Sequence, residues 1–394
     1  MLTTKLLATT AVAAGALALV IANAPASAGD PLKIGISASI SGEWAPYTGA
    51  HGLRCMTELM NEQGGVNGVP IELSVQDNKS DPAIAIAQAQ EMLDDGVTAV
   101  GEAAIASDSL IPVSQLAAEY DTITFSAVNT QIEMFEVGLD NYITMAVPDP
   151  FNASATAEVA YELGARRVVL FLSDVYGTWT RNLPEWFGDV FGRFGGEVVG
   201  RMEYPGFGIT DWSPFITDLK AMDPMPDSIH ISSINPDVGV LIRQIRAAGL
   251  DIFVFGSDGF DDPTLPEVAG GAPSVDGTVY FATHGFATGG NALEMFQNEC
   301  VSRGYEINGS FFGLGGDVAQ ILAKGVELAG STDSRAVLDA LTTAGPIEAT
   351  SAPSIDFTNR WHYPSKEVSV IGFKDGQPML HKALVPAHSP HYEE

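Results

Sequence analysis

Two doubly wound α/β domains are the fold this sequence predicts, on three observations. Between Leu32 and Leu73 the hydrophobic period switches from strand to helix and back, with Ser41-Gly42, Gly64-Gly65 and Asn67-Gly68 at the switches. That is the pattern of a βαβ unit. The same alternation repeats along the chain with short loops, which makes the sheets parallel and their crossovers right-handed. Finally, 394 residues, 46% hydrophobic and 17% charged, exceed the roughly 250–300 at which a single core stops growing.

In order, the first unit is an apolar strand over 32–39, a loop with Trp44, Pro46, Tyr47 and Gly49, and a helix carrying Leu53, Met56, Leu59 and Met60. Strands follow at 71–76, 97–100, 122–125 and 142–147. Between them lie a helix opened by Asp81-Pro82 and another over 111–120. Pro148-Asp149-Pro150 marks a break, after which the pattern restarts. Helices are expected over 151–163, up to 194, 215–221 and 238–248, and strands at 168–172, 198–204, 228–232, 252–255 and 277–283. Further helices are expected at 293–303, 317–329 and 335–341, and a hairpin over 368–380 turning at Asp375-Gly376. In open α/β sheets ligands bind outside the carboxyl ends of the strands. That rule selects Trp44 and Tyr47 in the first loop, and Ser107, Ser126, Asn129, Tyr176 and Asp258 in later ones. Trp44, Trp179 and Phe260 would form an aromatic wall.

Lys and Arg number 19 against 49 Asp and Glu, a net charge of −30. So strong an acidic bias argues against nucleic acid, whose phosphates need basic partners, and against an anionic membrane surface. Residues 1–28 read as a secretory signal: Lys5 is the only charge, 6–21 is apolar, and Ala26-Ser27-Ala28 is a small-residue cleavage site. A periplasmic location is therefore expected. The two cysteines, Cys55 and Cys300, read equally well as a disulfide or as two buried thiols. There is no G-x-S-x-G, H-E-x-x-H or G-K-[ST] P-loop, so catalysis is not expected, nor is a cofactor. His381, His388 and His391 in the tail do not amount to a metal site, and none is expected.

Several stretches together resemble the periplasmic binding proteins of branched-chain amino acid ABC transporters, the leucine/isoleucine/valine-binding type. They are Ser41-Gly42 with Tyr47 to Gly49, Asn61-Glu62 to Pro70, Asp77 with Asp81-Pro82, Asn235-Pro236-Asp237 leading into 242–250, Gly256 to Gly259, and 355–376. The resemblance implies two Rossmann-like lobes of the type I arrangement, joined by a three-segment hinge near Val147, Thr283 and Phe357. Lobe 1 would be 31–147 plus 285–357, and lobe 2 would be 148–284 plus 358–394. By the same resemblance Ser107 and the amides after Ala104 hold a ligand carboxylate. Asp258 and the Ser126 carbonyl take an ammonium, and Tyr47 and Tyr176 clamp from either side. Val128 stands where the family has a Thr, Ile234 where it has a Tyr, and Asp258 where it has a longer Glu, so aromatic acids, amides or urea join amino acids as candidate ligands. The implied partners are a small-molecule ligand and an inner-membrane ABC permease, with the protein a monomer. A ligand sensor is the alternative role on the same fold.

Overall fold

The computed structural model describes residues 29–103 and 106–389. Residues 1–28, where a signal is expected, His391 and the amides next to Ala104 lie outside the described residues. Among the described residues, no helix is long and apolar enough to cross a membrane.

The first sheet contains β1 (Lys33–Ala38), β2 (Glu72–Asp77), β3 (Ala99–Glu102), β4 (Ile123–Ser126) and β5 (Tyr142–Thr144), all parallel in the order β2-β1-β3-β4-β5. β1 and β3 are buried on both faces except at Lys33, whereas the edge strand β2 is half exposed. The helices between them are α1 (Ala50–Glu62), α2 (Pro82–Asp94), α3 (Ser107–Glu119) and the short α4 (Glu133–Glu136). α2 starts where Asp81 accepts hydrogen bonds from the Ala83 and Ile84 amides, with Pro82 in the first turn.

After α5 (Asp149–Glu162) a second sheet forms from β6 (Arg167–Leu172), β7 (Glu197–Glu203), β8 (Ser228–Ile231), β9 (Phe253–Gly256) and β10 (Val279–Thr283). α6 (Gly177–Phe194), α7 (Ser213–Ala221), α8 (Asp237–Ala247), α9 (Leu265–Val268) and α10 (Ala272–Val275) connect these strands. The hairpin of β11 (Val368–Lys374) and β12 (Gln377–Leu384) completes the sheet antiparallel, in the order β12-β11-β10-β9-β8-β6-β7. Its turn is Asp375-Gly376, both at positive φ, which is the backbone twist a two-residue hairpin needs.

Between β10 and β11 the chain runs through α11 (Ala292–Ser302), α12 (Ser310–Ala329) and α13 (Ser334–Thr343). α12 packs along α1, and Cys55 of α1 is disulfide-bonded to Cys300 of α11. α12 begins at Ser310, seven residues before the expected start, because Gly313, Gly315 and Gly316 are not loop residues. They let two helix backbones touch: a Cβ on Gly315 would lie 1.8 Å from the Gly49 carbonyl oxygen, and one on Gly52 would lie 1.7 Å from that of Phe312. Each sheet reverses its order once, between β1 and β3 and between β6 and β8. The crevices at those two points face one another.

Candidate ligand site between the two sheets

The loop after β1 is fastened at both ends before it presents its aromatic rings. Ser41 donates its amide and hydroxyl to the Asp77 carboxylate, at 3.0 and 2.7 Å, and the Trp44 amide donates to Ser80 Oγ at 3.1 Å. At the far end the Thr48 hydroxyl and the Gly49 amide both donate to Glu102 Oε1, at 2.6 and 3.2 Å. Glu102 ends β3, is fully buried, and its other oxygen has no partner; burial pushes its carboxyl up to about 7. Between these anchors Trp44 and Tyr47 project into the crevice. The Tyr47 hydroxyl donates to the Gly259 carbonyl at 3.1 Å, which ties the two sheets' loops together.

The loop after β4 is folded by Ser126. Its hydroxyl accepts the Val128 and Asn129 amides at 3.1 and 2.9 Å, the local turn a serine makes at a strand end. That turn aims Val128, Asn129, Thr130 and Gln131 at the crevice. Gln131 uses both ends of its amide: Oε1 accepts the Ser107 N–H at 2.8 Å, and Nε2 donates across to the Tyr176 carbonyl at 2.9 Å. Glu133 makes a second bridge, accepting from the Thr178 hydroxyl at 2.6 Å and from the Thr178 amide at 3.3 Å.

From the second sheet, the β6–α6 loop supplies Tyr176 and Trp179. Trp44 meets Tyr176 edge-on with centroids 4.8 Å apart, and Tyr176 stacks on Phe207 at 5.0 Å. Burial and then the Glu43 carboxylate, 3.4 Å from the hydroxyl, push the Tyr176 phenol up to about 12. Asp258 follows β9 with 4% exposure, and both of its oxygens are occupied by protein groups. Oδ1 accepts from Trp179 Nε1 at 3.0 Å, and Oδ2 lies 3.1 Å from His284 Nε2. The Val147 amide donates to His284 Nδ1 at 3.1 Å, so Nδ1 is the acceptor and Nε2 carries the proton toward Asp258. Gly259 must be glycine here, since a Cβ would sit 2.5 Å from the Ser233 carbonyl oxygen and 2.7 Å from the Trp179 ring. Asp149, at the start of α5, is fully buried with neither oxygen hydrogen-bonded. Burial first, and then the Asp258 charge, hold its carboxyl well above the usual range, with the Thr130 side chain giving only partial relief.

These groups enclose one cavity, lined by Trp44, Tyr47, Val128, Tyr176 and Asp258 together with Asn129, Thr130, Gln131, Trp179, Ile234 and Phe311. It is narrow, leaving about 50 Å³ in which the centre of a water-sized sphere can move. Two of the residues singled out in the sequence stand behind the lining. Ser107 is 6% exposed, its amide held by Gln131 and its hydroxyl 3.5 Å from Asn129 Nδ2. Ser126 is fully buried, and its carbonyl already accepts from the Met145 amide at 2.9 Å and the Thr144 hydroxyl at 3.2 Å. The Thr144 hydroxyl also reaches the Asn129 carbonyl, at 3.0 Å, and the Ser126 carbonyl lies behind the cavity lining rather than in it. Phe260 is likewise not in the wall; it packs on Phe281 beneath. Gln131, His284, Glu102 and Phe311 belong to the candidate site without having been singled out in the sequence. Gln131 lies in a strand-end loop and could have been found by the same rule as Asn129. Phe311 was hidden by the glycine run that follows it.

The comparisons with known proteins agree with this architecture. A family model described as periplasmic binding protein matches residues 31–377. The chain is 23% identical over 352 residues to Leu/Ile/Val-binding protein homolog 3 of Brucella melitensis, covering 88% of this chain and 92% of that one. A solved leucine-binding protein from Thermotoga maritima superposes with a TM-score of 0.77 at 24% identity, covering 90% of this chain and 99% of that one. A solute-binding protein from R. palustris, solved in complex with 4-hydroxybenzoate, has a TM-score of 0.77 at 18% identity, covering 92% and 100%. The family is one of solute-binding proteins rather than enzymes. With the match extending over most of its length, this chain belongs to the periplasmic binding protein family.

Proposed function

We propose that the chain is the solute-capturing component of an ABC importer, taking a small amino acid or a related amine- or ring-bearing compound into the cavity and passing it to an inner-membrane permease. Residues 31–147 plus 285–357 and residues 148–284 plus 358–394 then act as two lobes that close about the crossings near Val147, Thr283 and Phe357. The observation that carries the reading is that strand-end loops of both sheets line one cavity, with Tyr47–Gly259 and Gln131–Tyr176 hydrogen bonds across it. Closure of this kind buries a ligand between two rigid bodies. Secretion to the periplasm and a monomeric state belong to the same proposal.

The test is a thermal-shift screen of the protein without residues 1–28 against leucine, isoleucine, phenylalanine, benzoate, 4-hydroxybenzoate, aliphatic amides, urea and simple amines. A ligand at a hundredfold excess over its Kd adds about 3 kcal/mol to stability, a shift of several degrees. Asp258→Ala should weaken the best binder more than tenfold, because it strips a buried acceptor from the cavity and leaves Trp179 and His284 without theirs. A panel without a single shift, or unchanged calorimetric affinity in Asp258→Ala, would refute the assignment.

A further inference from the structure

Resting on the cleft reading above, we infer that the ligand is an organic cation, an amine or quaternary ammonium with an apolar or aromatic body. It is received between Asp258 and the Trp44, Tyr47, Tyr176 and Trp179 rings, with no carboxylate at the start of α3. Three independent features of the cavity point the same way.

The first is what already occupies the start of α3. A helix start with free N–H groups is where an anionic group settles. Here the Ser107 N–H is met at 2.8 Å by the neutral Gln131 amide, which is 7% exposed and held from its other end by the Tyr176 carbonyl. A ligand carboxylate taking that N–H would have to displace the Oε1 of Gln131, a side chain that also bridges the cleft to Tyr176.

The second is charge. Among the described residues that line the cavity, Asp258 is the only charged one, and no Lys or Arg joins it. Asp258 accepts one hydrogen bond on each oxygen, from Trp179 and His284, which leaves a second lone pair on each for a ligand N–H. Behind the lining the surroundings are also acidic: the Asp262 and Asp261 charges act on Tyr47. A guest with net positive charge relieves this repulsion, and a guest with net negative charge adds to it.

The third is the wall. Aromatic rings come from both sheets, and rings offer a cation their negative faces. Carboxylate plus rings, with no basic group facing them, is a site for a cation with an apolar body.

The experiment compares compounds that differ in one group. Calorimetry on the protein without residues 1–28 uses 2-phenylethylamine, L-phenylalanine and 3-phenylpropanoate, and in parallel 3-methylbutylamine, L-leucine and 4-methylpentanoate. The expected result is that each amine binds at least tenfold tighter than its amino acid, with no detectable binding of the acid. Gln131→Ala, which frees the α3 amide, should narrow the preference for the amine. Gln131→Glu, which keeps the shape and adds a negative charge, should widen it. An amino acid that binds as tightly as its amine to the wild type overturns the inference and leaves capture in the cleft standing. Variants that both shift preference in one direction also overturn it. If none of the six compounds binds, the inference falls, and the capture reading is then decided by the broader panel.

Discussion

Replacing Glu102 by Gln tests the electrostatics beneath the first loop. The carboxyl is fully buried at the end of β3, with Oε1 accepting from Thr48 and Gly49 and Oε2 unpartnered. Burial raises it from 4.5 to about 7. Because the folded-state value is the higher one, its contribution to stability is fully present below about pH 4.5 and is lost as pH rises through about 7. The size follows from the shift: at 1.36 kcal/mol per unit, ionisation above pH 7 costs on the order of 3 kcal/mol. Gln keeps the acceptor for Thr48 and Gly49 and cannot ionise. The difference in unfolding free energy between Glu102→Gln and wild type, from urea titrations between pH 4 and 9, should be small at pH 4. It should grow in favour of the variant up to about 3 kcal/mol by pH 8 to 9. The loop that carries Trp44 and Tyr47 rests on this carboxyl, so ligand affinity should weaken over the same window in wild type and less in the variant. A difference that stays flat across pH would refute the argument, since every other titrating group cancels in the comparison.

Two further predictions concern the packing that holds α11 and α12 to α1. The Cys55–Cys300 bond spans 245 residues, for which loop-closure entropy gives about 5 kcal/mol; Cys55→Ser with Cys300→Ser should lower the urea-derived stability by about 2–5 kcal/mol. An unchanged urea midpoint would contradict the pairing. Gly52→Ala places a methyl 1.7 Å from the Phe312 carbonyl oxygen, so α1 and α12 must part. A loss of about 1–3 kcal/mol is expected, whereas Gly64→Ala, which meets no neighbouring atom, should owe any cost to its backbone angle alone.

Much of the fold was legible because strand and helix periods alternate cleanly and the turn residues sit where they change. The strand-end rule reached Trp44, Tyr47, Asn129, Tyr176 and Asp258, all of which line the cavity, and the family resemblance added Val128. It failed where a side chain's hydrogen bonds decide its availability. Ser126 follows the rule by position, yet it stands behind the lining, its hydroxyl folded into its own turn and its carbonyl accepting the Met145 amide. Ser107 is masked by Gln131, which is 24 positions away, a pairing that no local pattern encodes. The helix expected from 317 begins at Ser310 because contact with α1 overrode the low helix propensity of Gly313, Gly315 and Gly316. Cys55 and Cys300 could be paired only once α11 was seen beside α1. His284 gained its meaning only when the end of β10 met both Val147 and Asp258.

The most direct measurement is a crystal structure of the protein soaked or co-crystallised with the compound that gives the largest thermal shift. Density for that compound is expected between Asp258 and the Trp44 and Tyr176 rings, with a polar atom within hydrogen-bond distance of the Asp258 carboxylate. Density on the outer surface, with Trp44, Gln131 and Tyr176 still touching across an unaltered crevice, would contradict it.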